Sequence, residues 1–295
     1  MLTTTLLYAG LLPLATAALI ALLAQQFRLS PPATWACGTG GGFLAGLVGL
    51  KSQAGLAAAA RSVVQPHAAA DWLPIIVLLA LGTSALLFVA PPAHRRWTLA
   101  LAAALTIAAP LRLLSGNVRL AGSWSAFDKF AYLALLAATF GFVWRLLASG
   151  GEERQSPARL VFLVIVAAAT AAVLALSGAM VYGQSCGALA AALTGTAVAR
   201  LPGATGSASA EPFSMSNGLT GAAGIITFSL GSLILLGHFF AELSVANAVL
   251  LFAALAAAGT PLPAALCRRP AWQQLAVRTV ACLLPLAIAI AAAAE

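Results

Sequence analysis

The chain reads as a series of apolar stretches cut by short polar ones. Ten stretches approach the roughly 20 apolar residues that a helix needs to cross a hydrocarbon core. They cover residues 5–26, 33–50, 72–90, 97–114, 126–147, 160–182, 183–198, 218–241, 245–263 and 275–293. The breaks between them carry stop signals. Arg28 and Pro31-Pro32 end the first run, Lys51 ends the second, and Pro91-Pro92 with His94, Arg95 and Arg96 divides the third from the fourth. Trp72 and Trp97 stand where interfacial tryptophans are expected. No Lys or Arg precedes the first run, and it is long, so it reads as a retained helix rather than a signal peptide. The seventh, 183–198, is short and lacks large side chains. It reads either as a span or as a re-entrant segment.

The polar stretches read as loops. Residues 52–71 include Arg61, Gln65, Pro66, His67 and Asp71, with room for an interfacial Ala-rich helix near 56–64. Residues 149–159 (SGGEERQSPAR) are the most polar of the chain and read as solvated. Residues 201–217, rich in Gly, Ser, Ala and Pro, read as a flexible loop. The expected fold is all-α: a polytopic integral membrane helical bundle of nine or ten transmembrane helices, with residues 1–295 forming one transmembrane domain.

Composition agrees. Of 295 residues, 62% are hydrophobic and 7% charged, where a soluble domain carries roughly 45–50% and about 25%. Mean hydropathy is +1.00. Disordered chains are poor in apolar residues and rich in charge, and the 26 glycines have no three-residue period, so disorder and collagen are excluded. Unbroken apolar runs argue against an outer-membrane barrel, whose strands alternate. The net charge of +8 is spread singly or in pairs between the runs, as loop charges of a membrane protein are. Nucleic acid is therefore not an expected partner. The lipid bilayer is, with partner membrane subunits or further copies of the chain as additional expectations, and a bacterial inner membrane is the expected location.

With ten spans, the loops after the odd-numbered helices hold Arg28, Arg95, Arg96, Arg145, Arg154, Arg159, Arg200, Arg268, Arg269 and Arg278. The opposite side holds Lys51, Arg61, Arg112, Arg119 and Lys129. The positive-inside bias then places both termini outside. If the seventh segment does not span, the last loops change sides and the bias reverses. A five-plus-five division near Gly150 suits the inverted repeats of many transporters, but no residue pattern recurs across it.

Candidate chemistry is sparse. Gly38, Gly42 and Gly46 recur every four residues and make one bare helix face, as Gly187, Ala191 and Gly195 do in the seventh run; such faces let helices approach closely. GTGGG lacks the P-loop lysine and follows no strand. His238 and Glu242, four apart, are expected on one helical face. Burying a carboxylate in lipid is costly, so Glu242 is expected to point inward, toward hydrogen bonds from His238, Ser244 and Asn247, as a candidate for proton coupling. Arg112 and Asp128 are the candidates for an ion pair joining the fourth and fifth helices beside a cavity. Arg145 and Arg278 read as snorkelling arginines at helix ends. Pro13, Pro74, Pro110 and Pro285 interrupt four helices. Cys37, Cys186, Cys267 and Cys282 have no zinc or disulfide spacing and read as small buried hydrophobes. With no HExxH, no GxSxG, no paired carboxylates in a span and no two His on one run, no catalytic residue, metal or cofactor is expected, and no substrate is indicated. The function expected is a small secondary transporter or, alternatively, a non-catalytic membrane subunit or scaffold; the ten-helix format is similar to that of ten-helix drug and metabolite carriers.

Overall fold

The computed structural model describes residues 2–53, 55, 64–89, 95–115, 125–149, 156–200, 215–267 and 269–294. The segment 56–63, most of the expected interfacial helix, and the loop residues 150–155 and 201–214 lie outside the described residues. Among those described there is no strand. The helices are α1 (Thr3–Gln26), α2 (Pro31–Ser52), α3 (Leu73–Val89), α4 (Arg95–Leu114), α5 (Ala126–Ala148), α6 (Ser156–Leu176), α7 (Met180–Ala199), α8 (Met215–Phe240), α9 (Val245–Gly259), the single turn α10 (Ala264–Cys267) and α11 (Ala271–Ala294). Eight are long and apolar enough to cross a membrane, and α9 is a shorter apolar helix. The protein is a polytopic, all-helical membrane bundle.

Local chemistry sets the helix ends. Pro31 and Pro32 open α2 after Ser30, where a missing N–H costs nothing and the fixed φ suits the helix. α1 closes through Arg28, whose φ is 54°; the Leu29 N–H reaches the Ala24 carbonyl and the Arg28 N–H that of Gln25. This is a Schellman motif with arginine at the left-handed position. The same motif closes α6, with Gly178 at φ 81° and the Ala179 N–H on the Leu174 carbonyl. That turn corrects the expected boundary. The sixth helix stops at Leu176 rather than residue 182, and α7 takes in Met180, Val181 and Tyr182. At 20 residues, α7 is about 30 Å long, the thickness of a hydrocarbon core. Its Gly, Ser and Thr content, not its length, keeps it out of the most apolar set.

Pro13 does not break α1. Residues Leu7–Leu11 form a π-helical turn just ahead of it. The ring of Pro13 crowds the carbonyl four residues back and donates no hydrogen bond, and one widened turn absorbs both defects.

α8 is the axis of the bundle. Of its most apolar window 94% is buried, against 17% for α1, 22% for α5 and 22% for α11. It packs on α2, α3, α4, α5, α6, α7 and α9. α1 lies outside, against α2 and α7, and α11 lies outside against α6 and α9. The α1–α2–α7 contact is made by small residues. A Cβ on Gly42 would meet Ala17 and the Pro13 carbonyl; one on Gly38 would meet Thr196 and Ala21; one on Gly46 would meet Ala188 and Pro13. On α7, Gly195 rests on the backbone of Leu14. Lipid tails are as apolar as leucine, so helices in a bilayer associate through this close van der Waals fit rather than through expulsion of water.

Contacts between helix ends show that α1 runs parallel to α7 and α2 parallel to α8. Gln25 Nε2 donates to the Ala199 carbonyl at 3.2 Å, joining the ends of α1 and α7. Gln184 Nε2 donates to Thr5 Oγ1 at 3.4 Å, joining their beginnings. Trp35 and Gly218 bring together the beginnings of α2 and α8.

Candidate functional site

His238 sits in the last turn of α8, half-buried, with Nδ1 2.7 Å from the Leu243 carbonyl. A carbonyl only accepts, so Nδ1 carries the hydrogen. The ring also stacks edge-on against Phe239, at 4.8 Å between centroids, and Phe239 meets Tyr132 of α5 the same way at 5.7 Å. His238 thus closes the turn between α8 and α9.

Glu242 does not point inward. The helix ends at Phe240, and Glu242 occupies a left-handed turn at φ 60° with its side chain exposed. The regular i, i+4 face assumed from the spacing stops before it. Ser244 instead caps α9, accepting from the Asn247 N–H at 3.1 Å.

Arg112 and Asp128 are not brought together as an ion pair. The Arg112 guanidinium lies 4.0 Å over the Trp72 ring, a cation–π contact that joins α4 to the start of α3. Asp128 completes a capping box on α5: its N–H bonds Ser125 Oγ at 3.1 Å, and its Oδ2 accepts from that hydroxyl at 2.7 Å. Asp128 does border an open groove of about 430 Å³, with Ala131, Tyr132 and Leu135. Among the described residues Lys51 and Asp71 do form an ion pair, at 2.8 Å, tying the end of α2 to the turn that precedes α3.

Two arginines occupy positions that the sequence did not suggest. Arg159, assigned to the solvated stretch, is 3% exposed. α6 begins at Ser156 and carries it inside. Its Nη2 lies 2.8, 2.8 and 2.7 Å from the carbonyls of Leu146, Leu147 and Gly259, which share its two hydrogens. These carbonyls end α5 and α9, where the helix dipoles favour a cation. Arg278 is 4% exposed and so does not snorkel: α11 begins four residues earlier than expected, at Ala271, and turns Gln274 and Arg278 into the bundle. Gln274 Nε2 donates to the carbonyls of Cys267 and Arg269. The four cysteines are free; Cys186 and Cys282 are buried, Cys37 half-buried and Cys267 exposed.

Three polar groups of the bundle centre lie on α8, beside others such as Thr39, Thr170 and Thr196. Thr227, Ser229 and Ser232 are each 0% exposed, and none of the three hydroxyls has a hydrogen-bond partner among the described residues. Elsewhere Ser and Thr inside the helices donate to the carbonyl four residues back, as Thr83, Thr139, Thr170, Ser185 and Thr194 do. Thr227 shares a face with Gly224 and Gly231, three residues before and four after. A Cβ on Gly224 would meet Ser84 and Trp144, and one on Gly231 would meet Phe140. Phe140 and Trp144 stack on Phe228 at 5.6 and 5.3 Å, and Phe140 stacks on Phe252 at 6.0 Å. A reading of the sequence centred on ionisable residues passes over these hydroxyls. The available signal was three of them within six residues of an apolar run.

Comparison with known proteins gives no match to a family model, a curated protein or a solved structure.

Proposed function

We propose that this multi-pass membrane protein is a small secondary carrier whose solute path follows α8. The observation that carries the reading is the set of unmet hydroxyls on Thr227, Ser229 and Ser232 in the most enclosed helix of the bundle. A buried hydroxyl without a partner costs about 1–3 kcal/mol. Rotation about χ1 would satisfy each of them on its own helix. In a carrier such hydroxyls supply polar groups at membrane depth, Thr227 on the face of Gly224 and Gly231 and Ser229 with Ser232 on the other. The test is uptake into proteoliposomes holding the purified chain, with a panel of labelled polyols, amides, amino acids and small ions. Accumulation above protein-free vesicles supports the carrier. No uptake of any of them removes it.

A second reading, a non-catalytic membrane subunit, is favoured by the inequality of the two halves. In a five-plus-five division α3 corresponds to α8, yet 39% of its window is buried against 94%. Inverted repeats place equivalent helices in equivalent surroundings. A chain that precipitates from detergent unless co-expressed with a partner would favour this reading, and a stable monodisperse particle would count against it.

A further inference from the structure

We propose that the bundle end where α1, α5, α7 and α9 finish is a docking surface for anionic phospholipid headgroups. Contacts bring those helix ends together. Gln25 joins the ends of α1 and α7. α6 packs back along α7 across the turn at Gly178, so it starts at the same end, where Arg159 meets the ends of α5 and α9. α2 opens a short turn after α1, and Trp35 on Gly218 brings the start of α8 beside it. α11 follows α9 and packs along it. α4 ends over Trp72, next to Asp71 and Lys51 at the far end of α2, and so starts at this one.

Charge divides between the two ends. Every acidic residue described stands at the opposite one: Asp71 beside the end of α2, Asp128 at the start of α5 and Glu242 after α8. At this end Arg28, Arg145 and Arg269 are exposed, Arg200 is half-buried, and α4 opens on Arg95 and Arg96. The three exposed arginines form no ion pair among the described residues. In sequence, the connections at this end add Arg154 and Arg268 against Glu152, Glu153 and Glu211, so the excess stays positive.

Exposed aromatic rings set the depth of these arginines. Phe27, Trp97 and Trp272 are 78%, 76% and 68% exposed. Phe27 adjoins Arg28, Trp97 adjoins Arg96, and Trp272 follows Arg269 by three residues. Two of the three rings belong to α1 and α11, the helices on the outside of the bundle. Tryptophan settles at the headgroup level of a bilayer. Arginines beside such rings stand among the lipids of that leaflet, within reach of phosphate, which takes two parallel N–H bonds from one guanidinium. A soluble acidic partner would instead meet them across open water.

The experiment is electron paramagnetic resonance on the full chain in phosphatidylcholine vesicles. Spin-labelled phosphatidylglycerol and spin-labelled phosphatidylcholine are compared as trace probes of the lipid held at the protein. The phosphatidylglycerol probe is expected to be held more tightly at low salt, by about fivefold for each arginine it engages. The preference should shrink at about 1 M salt. Arg145→Gln/Arg269→Gln should lower it severalfold, and Arg145→Lys/Arg269→Lys, which keeps the charge, should retain most of it. Arg112→Gln/Lys129→Gln, the same loss of charge at the other end, should leave it unchanged. Melting temperatures in detergent establish that each variant is folded. If Arg145→Gln/Arg269→Gln does not fold, Arg28→Asn, which tolerates the left-handed turn, takes its place. Equal retention of the two probes by the wild type overturns the proposal, as does a preference that persists unchanged in the folded arginine variant. Equal losses in the variants of the two ends overturn it too, since net charge alone would then account for the preference.

Discussion

At the scale of single residues, the turn after α8 and the cap on α5 and α9 make opposite demands. Glu242 holds a left-handed conformation, which costs an L-residue with a Cβ about 1 kcal/mol and glycine almost nothing. Its side chain is exposed. Glu242→Gly is therefore expected to raise stability by up to about 1 kcal/mol, read as a higher melting temperature in detergent. A marked loss would show that the carboxylate holds a partner. Arg159 is the contrary case. Three carbonyls at two helix ends converge on one guanidinium nitrogen. Arg159→Leu strands them in an apolar setting and is expected to cost about 3 kcal/mol or more. Arg159→Lys, a point charge with a flexible stem, should recover part of this. Equal melting temperatures for Arg159→Leu and wild type would refute the capping role.

Among elements, the α1–α2–α7 contact depends on side chains that are absent. A methyl group at Gly42 would fall 2.6 Å from the Pro13 carbonyl, which backbone cannot easily vacate. Gly42→Ala is expected to destabilise by about 1–3 kcal/mol, the usual range for overpacking. Gly141 in α5 has nothing within 4 Å of the same added atom. Gly141→Ala is expected to gain about 0.5–1 kcal/mol from helix propensity. Thermal melts of the two variants side by side check this, and the signs should differ. The bare faces of α2 and α7 were legible because spacing of four along a helix requires one face whatever the fold. Their partner was not, because a bare face fits any other small-residue face.

For the whole molecule, the sharing of basic residues is a prediction that takes the twenty-residue α7 and the shorter α9 both to cross. With ten passes, the face holding Arg28, Arg200 and the polar stretch after α5 carries ten Lys or Arg, against five on the other. Leaving out Arg159 and Arg278, which are buried, the ratio is eight to five. The richer face is expected in the cytoplasm, with both termini outside. Single cysteines placed at each terminus of a cysteine-free variant should react with a membrane-impermeant maleimide in intact cells. Labelling only after lysis would reverse the topology.

Helix class and approximate span positions followed from sequence alone because the bilayer acts on each segment separately. Roughly twenty apolar residues must satisfy their own backbone whatever lies beside them. The same holds for Pro31-Pro32, which start a helix by local geometry. What neighbours decide was beyond that reading. Arg159 looks like a loop charge until the end of α5, a dozen residues back, and the end of α9, 100 residues on, meet beside it. His238 and Glu242 look like a facial pair until the helix ends at Phe240 and Glu242 itself turns left-handed. Thr227, Ser229 and Ser232 look like ordinary helix hydroxyls until α8 is wrapped on every side. Burial at membrane depth is a property of packing between distant segments, and the free energy of a polar group depends on that burial far more than on its neighbours in sequence.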